Sequence, residues 1–231
     1  LESLKGLTDF ANEFKIPCIG GKVSLYNETP SGPIKPTPLI GVLGLIDKKP
    51  LVSQKILSGD NLVIIGDTKD ELGGSEYFEY IHKFIGGNCP TVNFKESKKN
   101  MSSVLDSIKQ QIPKSVHDCS KGGLAVAVAE LCMTNQIGCN VLLNKVPGEK
   151  LTDDRILFSE SHSRYLLTIN EKNIKKLENI LKKNKVTFQI IGKFGSKKIQ
   201  FVHGTKSIID LDVDKAQKTW FNSLKNMVLH G

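Results

Sequence analysis

Apolar residues recur every three or four positions over the first fifteen residues of the chain, which predicts an amphipathic helix that ends before Pro17. Glycine and proline interrupt residues 17–37 and predict a long, shaped loop around a short strand at 23–26. Loops of this length in a compact domain usually carry a function.

Strands and helices follow: strands are predicted at 38–46 and 61–66, and helices at 75–85 and 101–112. Both strand segments are continuous in Val, Ile and Leu, which is typical of strands buried on both faces. The segment 86–100 contains a GGNCP turn and a polar KESKKN run, and it predicts a linker. We therefore expect a domain boundary near Pro113, with domains at 1–113 and 114–231.

Beyond this boundary, an alanine-rich apolar segment at 124–133 predicts a buried helix. Further strands are predicted at 139–143, 164–169, 186–191, 199–202 and 207–211, and further helices at 152–158, 171–184 and from 213 onward. Because helices and strands alternate irregularly, the predicted fold class is α+β, a mixed α/β arrangement.

The composition is that of a globular protein: 231 residues, 39% hydrophobic and 24% charged. The five cysteines are odd in number and form no C-x-x-C pair, which favours neither a zinc site nor a disulfide framework and indicates a reducing, cytoplasmic compartment. No apolar run approaches the ~18 residues of a membrane span, so we expect no membrane contact. The chain begins at Leu1 inside a helical pattern, which suggests a piece of something longer.

The formal charge is +8, yet only two of the 32 basic residues are arginine. Base readout and bidentate phosphate contacts prefer arginine, so we expect no nucleic-acid partner and interpret the lysines mainly as solvated surface.

Three polar segments could carry chemistry. In GGKVSLYNE, at 20–28, paired glycines allow backbone amides to approach a phosphate and the lysine adds a charge, although the spacing alone favours a glycine hairpin at a strand entrance. In HDCSKGG, at 117–123, the turn opens a helix and could hold an anion or only cap that helix. In FSESHSR, at 158–164, the polar side chains could line a cleft or satisfy the ends of secondary structure. A fourth segment, LGGSEY at 72–77, is best explained by Ser75 capping a helix.

Five strings occur in order along the chain: GGKVSLYNE, PTPLIGVLGLI, LGGSEY, HDCSKGGLAVAVAEL and LFSESHSRYLL. With a closing A-x-x-x-W-x-x-S-L pattern at 216–224, they resemble the C-terminal half of phosphoribosylformylglycinamidine synthase, synthetase subunit. The resemblance covers nearly the whole chain. It extends more weakly to the aminoimidazole ribonucleotide synthetase superfamily, which shares the D-x-[ST]-x-G-G-type turn. For the fold, it implies a strand-rich N-terminal ATP-binding-type domain, truncated at its start here, followed by an α+β C-terminal domain.

For function, the resemblance implies an ATP-dependent ligase of purine biosynthesis. It would convert formylglycinamide ribonucleotide and glutamine-derived ammonia into formylglycinamidine ribonucleotide through an iminophosphate. ATP and Mg²⁺ are the implied cofactors. The implied partners are the N-terminal half of the same chain, a glutaminase subunit and a small bridging subunit. Because the family's catalytic residues belong to the other half, we expect this chain alone to be inactive.

The same resemblance assigns Gly21 to ATP contact and Ser24 to the ribonucleotide. The family's magnesium-ligating asparagine corresponds to Lys22, whose ammonium cannot ligate a cation, so we expect no metal ligand here and expect Lys22 to meet a nucleotide phosphate. A possible second nucleotide site in the pseudo-symmetric cleft would use Asp118, Ser120, Gly122, Ser159 and Glu160.

Two alternatives remain open. The chain could be a scaffold half that holds a nucleotide without turnover, or another superfamily member similar to aminoimidazole ribonucleotide synthetase.

Overall fold

The computed structural model describes residues 1–24, 26–35, 37–46, 52 and 54–230, and the chain divides into two compact units, Leu1–Lys49 and Pro50–Gly231. In the first unit, helix α1 (Glu2–Phe14) ends at Lys15, which adopts the left-handed conformation with φ 58°. This confirms the predicted N-terminal helix.

The loop of the first unit contains one small hairpin, in which β1 (Glu28–Thr29) pairs antiparallel with β2 (Gly32–Pro33). The strand predicted at 23–26 is absent from the described residues of that segment, and Leu25 lies outside the description.

The prediction of a buried strand at 38–46 is wrong. These residues form no hydrogen-bonded ladder, and their side chains face solvent, with Leu39 99% exposed and Leu45 93% exposed. A strand is buried only when neighbouring strands cover it, and no described residue pairs with this segment.

The second unit is built on one seven-stranded mixed sheet in the order β4-β6-β3-β7-β5-β8-β9. The strands are β3 (Asn61–Ile65), β4 (Ser115–Asp118), β5 (Cys139–Leu142), β6 (Tyr165–Ile169), β7 (Phe188–Phe194), β8 (Lys198–His203) and β9 (Lys206–Asp212). Only β5 and β8 pair in parallel, and the other neighbours are antiparallel.

Helices cover both faces of this sheet. They are α2 (Glu76–Tyr80), α3 (Phe94–Lys109), α4 (Gly123–Asn135), α5 (Asp153–Phe158), α6 (Ile174–Lys183) and α7 (Val213–His230), with 3₁₀ turns at Leu143–Lys145 and Glu171–Asn173. On one face, α4, α5 and the start of α7 pack against Leu62 and Ile64. On the other face, α3 and α6 pack against Val63 and Ile65. The central strand is therefore buried on both sides, as its sequence predicted, and the α+β fold class is confirmed.

Helix α3 begins earlier than predicted and occupies part of the expected linker. Asn93 caps it, because the Asn93 side chain accepts a hydrogen bond from the Glu96 amide at 3.1 Å. The helix buries small polar residues, among them Ser97, Asn100 and Ser103, so hydrophobic periodicity does not reveal its first turns.

The domain boundary predicted near Pro113 falls inside the second unit, between α3 and β4. Strand β3, before this position, is hydrogen-bonded to β6 and β7, after it. The boundary stays a prediction for the intact protein. Among the described residues, every helix is too short or too polar to cross a bilayer.

Candidate functional site

Three loops of the second unit lie at the same end of neighbouring strands of the sheet. The ends of β3 and β4 both lie beside the start of β6, since Ile65 and Asp118 each pair with Tyr165. The segments 66–75, 119–122 and 159–164 therefore converge, although they are far apart in sequence. They overlap LGGSEY, HDCSKGG and FSESHSR, so the topology brings together three of the four polar segments that the sequence singled out.

Glu160 connects these three segments. Its Oε1 accepts one hydrogen bond from the Gly122 amide at 2.8 Å and another from the Glu76 amide at 3.0 Å. Lys121 Nζ then donates to Glu76 Oε1 at 2.9 Å, and this contact raises the pKa of Lys121. Backbone amides at the start of a helix favour an anion, and here a carboxylate of the protein itself occupies that position at α4.

The backbone geometry at the start of α4 requires both of its paired glycines. Gly122 and Gly123 both have positive φ, 77° and 64°. A Cβ on Gly123 would lie 2.5 Å from the Ser159 carbonyl oxygen, so only glycine allows the turn to approach this loop. The paired glycines of the HDCSKGG segment are thus explained by the close contact between Gly123 and Ser159.

The buried side chain of Arg164 holds the backbone of the 159–164 segment in place. It is only 1% exposed, and its guanidinium donates to the carbonyls of Ser159 and Ser161 and, at 3.0 Å, to Thr68 Oγ1. Burial lowers the pKa of Arg164, since it disfavours the charged form. The neighbouring Cys119 thiol is buried as well, and burial raises its pKa to about 11.

The backbone of the 66–75 loop binds the same cluster. The Glu71 amide donates to Ser159 Oγ at 3.3 Å, and the Glu160 amide donates to the Glu71 carbonyl at 3.0 Å. Ser75 caps α2 by accepting from the Phe78 amide at 3.3 Å, which confirms the predicted cap.

The residues predicted for the second nucleotide site are thus partly brought together. Gly122, Ser159 and Glu160 are in contact through the bonds above, whereas Asp118, at the end of β4, and Ser120, on the turn that follows, are exposed. Sequence reasoning missed Arg164 as the organiser of this cluster. The sequence carried no signal for it, because an arginine directly before an apolar strand is usually exposed.

The predicted ATP loop belongs to the first unit. Gly21, Lys22 and Ser24 are all exposed there, and Asn27 Nδ2 donates to the Ser24 carbonyl at 3.0 Å. A Cβ built on Gly20 or Gly21 would meet nothing within 4 Å, so contacts within the chain do not require either glycine.

The described residues do not assemble a metal site of three or more side-chain ligands. Outside the masked positions, no group of three or more His, Cys, Asp or Glu residues is arranged to hold a metal ion, and Lys22 offers no lone pair while protonated. We therefore derive no step through a metal.

The sequence of the second unit matches a known family. Residues 58–204 fit the sequence profile described as AIR synthase related protein, C-terminal domain. The chain belongs to this family. It is 39% identical to phosphoribosylformylglycinamidine synthase subunit PurL of Methanocaldococcus jannaschii over an alignment 235 positions long, which covers 98% of this chain and 32% of that protein. The predicted resemblance is confirmed, and the chain spans about a third of the length of this relative.

The fold of this AIR synthase related chain is similar to that of Thermotoga maritima PurL in complex with FGAR. The TM-score is 0.65 at 17% identity, covering 71% of this chain and 29% of that one. The same protein matches in complex with ATP, with TM-score 0.60, 19% identity and coverages of 72% and 27%. In a PurLQS structure the TM-score is 0.58 at 17% identity, with coverages of 70% and 27%.

Proposed function

We propose that the chain is the C-terminal part of phosphoribosylformylglycinamidine synthase, an ATP-dependent ligase of purine biosynthesis. The observation that carries this proposal is 39% identity to a PurL subunit along 98% of the chain. The intact enzyme would convert formylglycinamide ribonucleotide, ATP and glutamine-derived ammonia into formylglycinamidine ribonucleotide, ADP, phosphate and glutamate.

The chemistry requires activation of an amide. An amide carbonyl is a poor electrophile, so transfer of the ATP γ-phosphoryl group to its oxygen would give an iminophosphate, which ammonia then attacks as phosphate leaves. The protein's part is to hold the γ-phosphate in line with the amide oxygen and to neutralise charge.

In this proposal, the 20–28 segment supplies contacts to the reactants. Gly21 would approach ATP, Ser24 would hydrogen-bond the ribonucleotide, and the Lys22 ammonium would meet a phosphate. Open space around Gly21 supports the proposal, because a glycine that its own chain does not require is suited to close approach by a ligand. A magnesium ion would then be held by residues elsewhere in the intact enzyme.

The partners follow from the same proposal. Relatives are about three times as long, and residues 38–46 expose an uninterrupted apolar surface that the N-terminal half of the enzyme would cover. A glutaminase subunit and a small bridging subunit would supply ammonia, consistent with the PurLQS assembly of Thermotoga maritima PurL. The five free thiols suit a cytoplasmic enzyme.

The test uses the full-length enzyme with Gly21→Ala and Ser24→Ala. We expect Gly21→Ala to raise the KM for ATP and Ser24→Ala to raise the KM for the ribonucleotide, each about tenfold or more. Ser31→Ala, an exposed serine of the neighbouring hairpin, is the matched control. Unchanged kinetics in both variants would remove this segment from the site.

A second candidate is a nucleotide-holding scaffold, favoured by the convergence of the 117–123 and 158–164 segments at the N-terminus of α4. A phosphate at Asp118, Ser120, Gly122 and Ser159 would need the Gly122 amide, which Glu160 occupies at 2.8 Å. Glu160 would therefore have to turn away. Tightly retained ADP in the purified full-length protein, unexchanged during turnover, would support this role, and its absence would argue against it.

A further inference from the structure

Ser163 has an unusual backbone conformation for its place in the fold. It lies in the loop between α5 and β6 and adopts the left-handed region, with φ 60°, which is costly for a residue with a Cβ. Of the seven described non-glycine residues with positive φ, five lie within three residues of a helix end, where this conformation commonly caps a helix: Lys15, Lys83, Gln111, Gln136 and Lys185. Ser163 lies five residues beyond α5, so contacts from elsewhere must favour its conformation.

Two side chains of α3 supply such contacts. Asn100 Nδ2 donates to the Ser163 carbonyl at 3.1 Å, and the Ser97 hydroxyl is hydrogen-bonded to the Ser163 hydroxyl. Ser97 and Asn100 are three residues apart on the helix and therefore lie on one face. They are 5% and 1% exposed, so the contact is internal to the second unit. The end of β3 approaches the same carbonyl, since a Cβ on Gly66 would lie 2.7 Å from its oxygen.

Packing alone does not explain an asparagine at position 100. The Asn100 Oδ1 atom is buried, and none of the residues that the structure describes supplies it with a hydrogen-bond partner. A buried acceptor without a partner lowers stability, and leucine, which has the same branched heavy-atom skeleton, would avoid that loss. The bond from Nδ2 to Ser163 is therefore the contact that accounts for asparagine here.

Arg164 follows Ser163 directly and transmits its position to the candidate site. The Arg164 guanidinium donates to the carbonyls on both sides of Glu160. A change in the Ser163 backbone would move the backbone from which this guanidinium projects. The Glu160 carboxylate in turn accepts from the Gly122 amide at the start of α4. An unbroken series of contacts thus joins α3 to the N-terminal turn of α4.

We propose that Asn100 and Ser97 are positioning residues of the candidate functional site. By holding Ser163 in the left-handed conformation, they keep the Glu160 carboxylate on the two backbone amides that it binds. Both belong to the KESKKN run, whose sequence predicts only a linker. The consequence for a nucleotide at α4 rests on the proposed function in its scaffold form, because Glu160 covers the amide that a phosphate would need.

The experiment measures amide hydrogen exchange in the full-length protein, in peptides that contain the Gly122 and Glu76 amides. Asn100→Leu should speed exchange of both amides about tenfold, while peptides from β8 and β9 should exchange as before. Adding Ser163→Gly should restore most of the protection, because glycine adopts the left-handed conformation without a Cβ penalty. A role of Asn100 in packing alone would show no such rescue.

Asn184→Leu is the matched control, because Asn184 Nδ2 also donates to α3, but to Ser103 Oγ. It should leave both amides protected. Unchanged exchange in Asn100→Leu, or a loss that Ser163→Gly does not restore, would overturn the proposal. If Asn100→Leu speeds exchange throughout the protein, Ser97→Ala decides: a loss confined to the two amides supports the positioning role, and exchange like that of the parent protein contradicts it.

Nucleotide release provides a separate readout for the scaffold function. Asn100→Leu should slow the release of ADP retained by the purified full-length protein at least about threefold, because a loosened Glu160 leaves the Gly122 amide free for a phosphate. Equal release rates, or no retained ADP, would argue against a nucleotide at α4. The exchange measurement would still decide the positioning role.

Discussion

Glu160 and Gly122 are 38 residues apart, yet the Glu160 carboxylate accepts the Gly122 amide hydrogen bond at 2.8 Å and closes the N-terminal turn of α4. The same oxygen accepts from the Glu76 amide, so one side chain satisfies backbone donors from two other segments. Such donors are costly when unpaired, which makes Glu160 a structural joint as well as a candidate site residue.

Replacing Glu160 should therefore destabilise the second unit. Hydrogen bonds to a charged acceptor contribute about 1.5–3 kcal/mol, so Glu160→Ala should lower the free energy of unfolding by about 2 kcal/mol, and Glu160→Gln, which keeps an acceptor, by less. Urea denaturation provides the measurement. Glu149→Ala is the control, since the Glu149 carboxylate accepts from the exposed Asp70 amide at 3.1 Å. Equal losses for Glu149→Ala and Glu160→Ala would contradict the role of Glu160 as a joint.

A pair of glycine substitutions can test how closely the turn before α4 approaches the Ser159 carbonyl. Gly123 and Gly204 have nearly the same φ, 64° and 60°, but a Cβ meets the Ser159 oxygen at 2.5 Å in the first case and nothing within 4 Å in the second. Gly204→Ala should cost about 1 kcal/mol for its backbone conformation alone. Gly123→Ala should cost at least ~2 kcal/mol more, because backbone must move to accept the methyl group. Similar unfolding midpoints for the two variants would show that the close approach is absent in solution.

Regular elements with an apolar face could be predicted from the sequence, and elements defined by polar packing could not. The helix at 124–133 was predicted because alanine and leucine dominate it, and α4 contains it. The first turns of α3 were missed because Ser97 and Asn100, rather than apolar residues, face the core. The segment 38–46 was predicted as a buried strand because its composition fits one, but burial depends on strands that pair with it.

Much the same division applies to the candidate site. The glycine and serine strings marked where loops would carry polar chemistry, and the topology brings three of them to one edge of the sheet. Spacing could not predict that Glu160 bonds both Gly122 and Glu76, because that contact depends on strand order. Nor could it predict the burial of Arg164, since arginine at a strand start is usually exposed.

Arg164 should be intolerant of substitution even by lysine. Its guanidinium donates to Ser159, Ser161 and Thr68 at once. A lysine has a single terminal nitrogen and cannot reproduce this planar set of donors, so buried acceptors would be left unpaired. We expect Arg164→Lys to lower the free energy of unfolding by about 3 kcal/mol. Arg155→Lys is the natural control, because Arg155 forms a surface pair with Asp70 and its replacement should cost less than about 1 kcal/mol. Comparable effects of the two substitutions would contradict this account.

The cysteines should divide into reactive and protected groups. Cys18 and Cys89 are exposed, whereas burial raises the pKa of Cys119 to about 11, leaving about one thiolate in a thousand at pH 8. A thiol reagent should therefore label two of the five cysteines in the native chain and all five in urea. Since the Cys119 pKa is raised from 9.0 on folding, its contribution to stability is complete below pH 9 and is lost as pH rises towards 11. Rapid native labelling of Cys119, detected by peptide mass spectrometry, would contradict its burial.

Lys22 offers a test of how the first unit meets a nucleotide. An exposed ammonium beside open glycine backbone is suited to a phosphate, and asparagine at the same position would remove that charge while keeping a polar side chain. In the full-length enzyme, Lys22→Asn should raise the KM for ATP about tenfold, as expected for loss of one charge-assisted contact worth roughly 1.5 kcal/mol. Lys5→Asn, an exposed lysine on α1, should leave that KM unchanged. If Lys22→Asn left the KM for ATP at its original value, the ammonium would not contact the nucleotide, and the charge at this position would need another explanation.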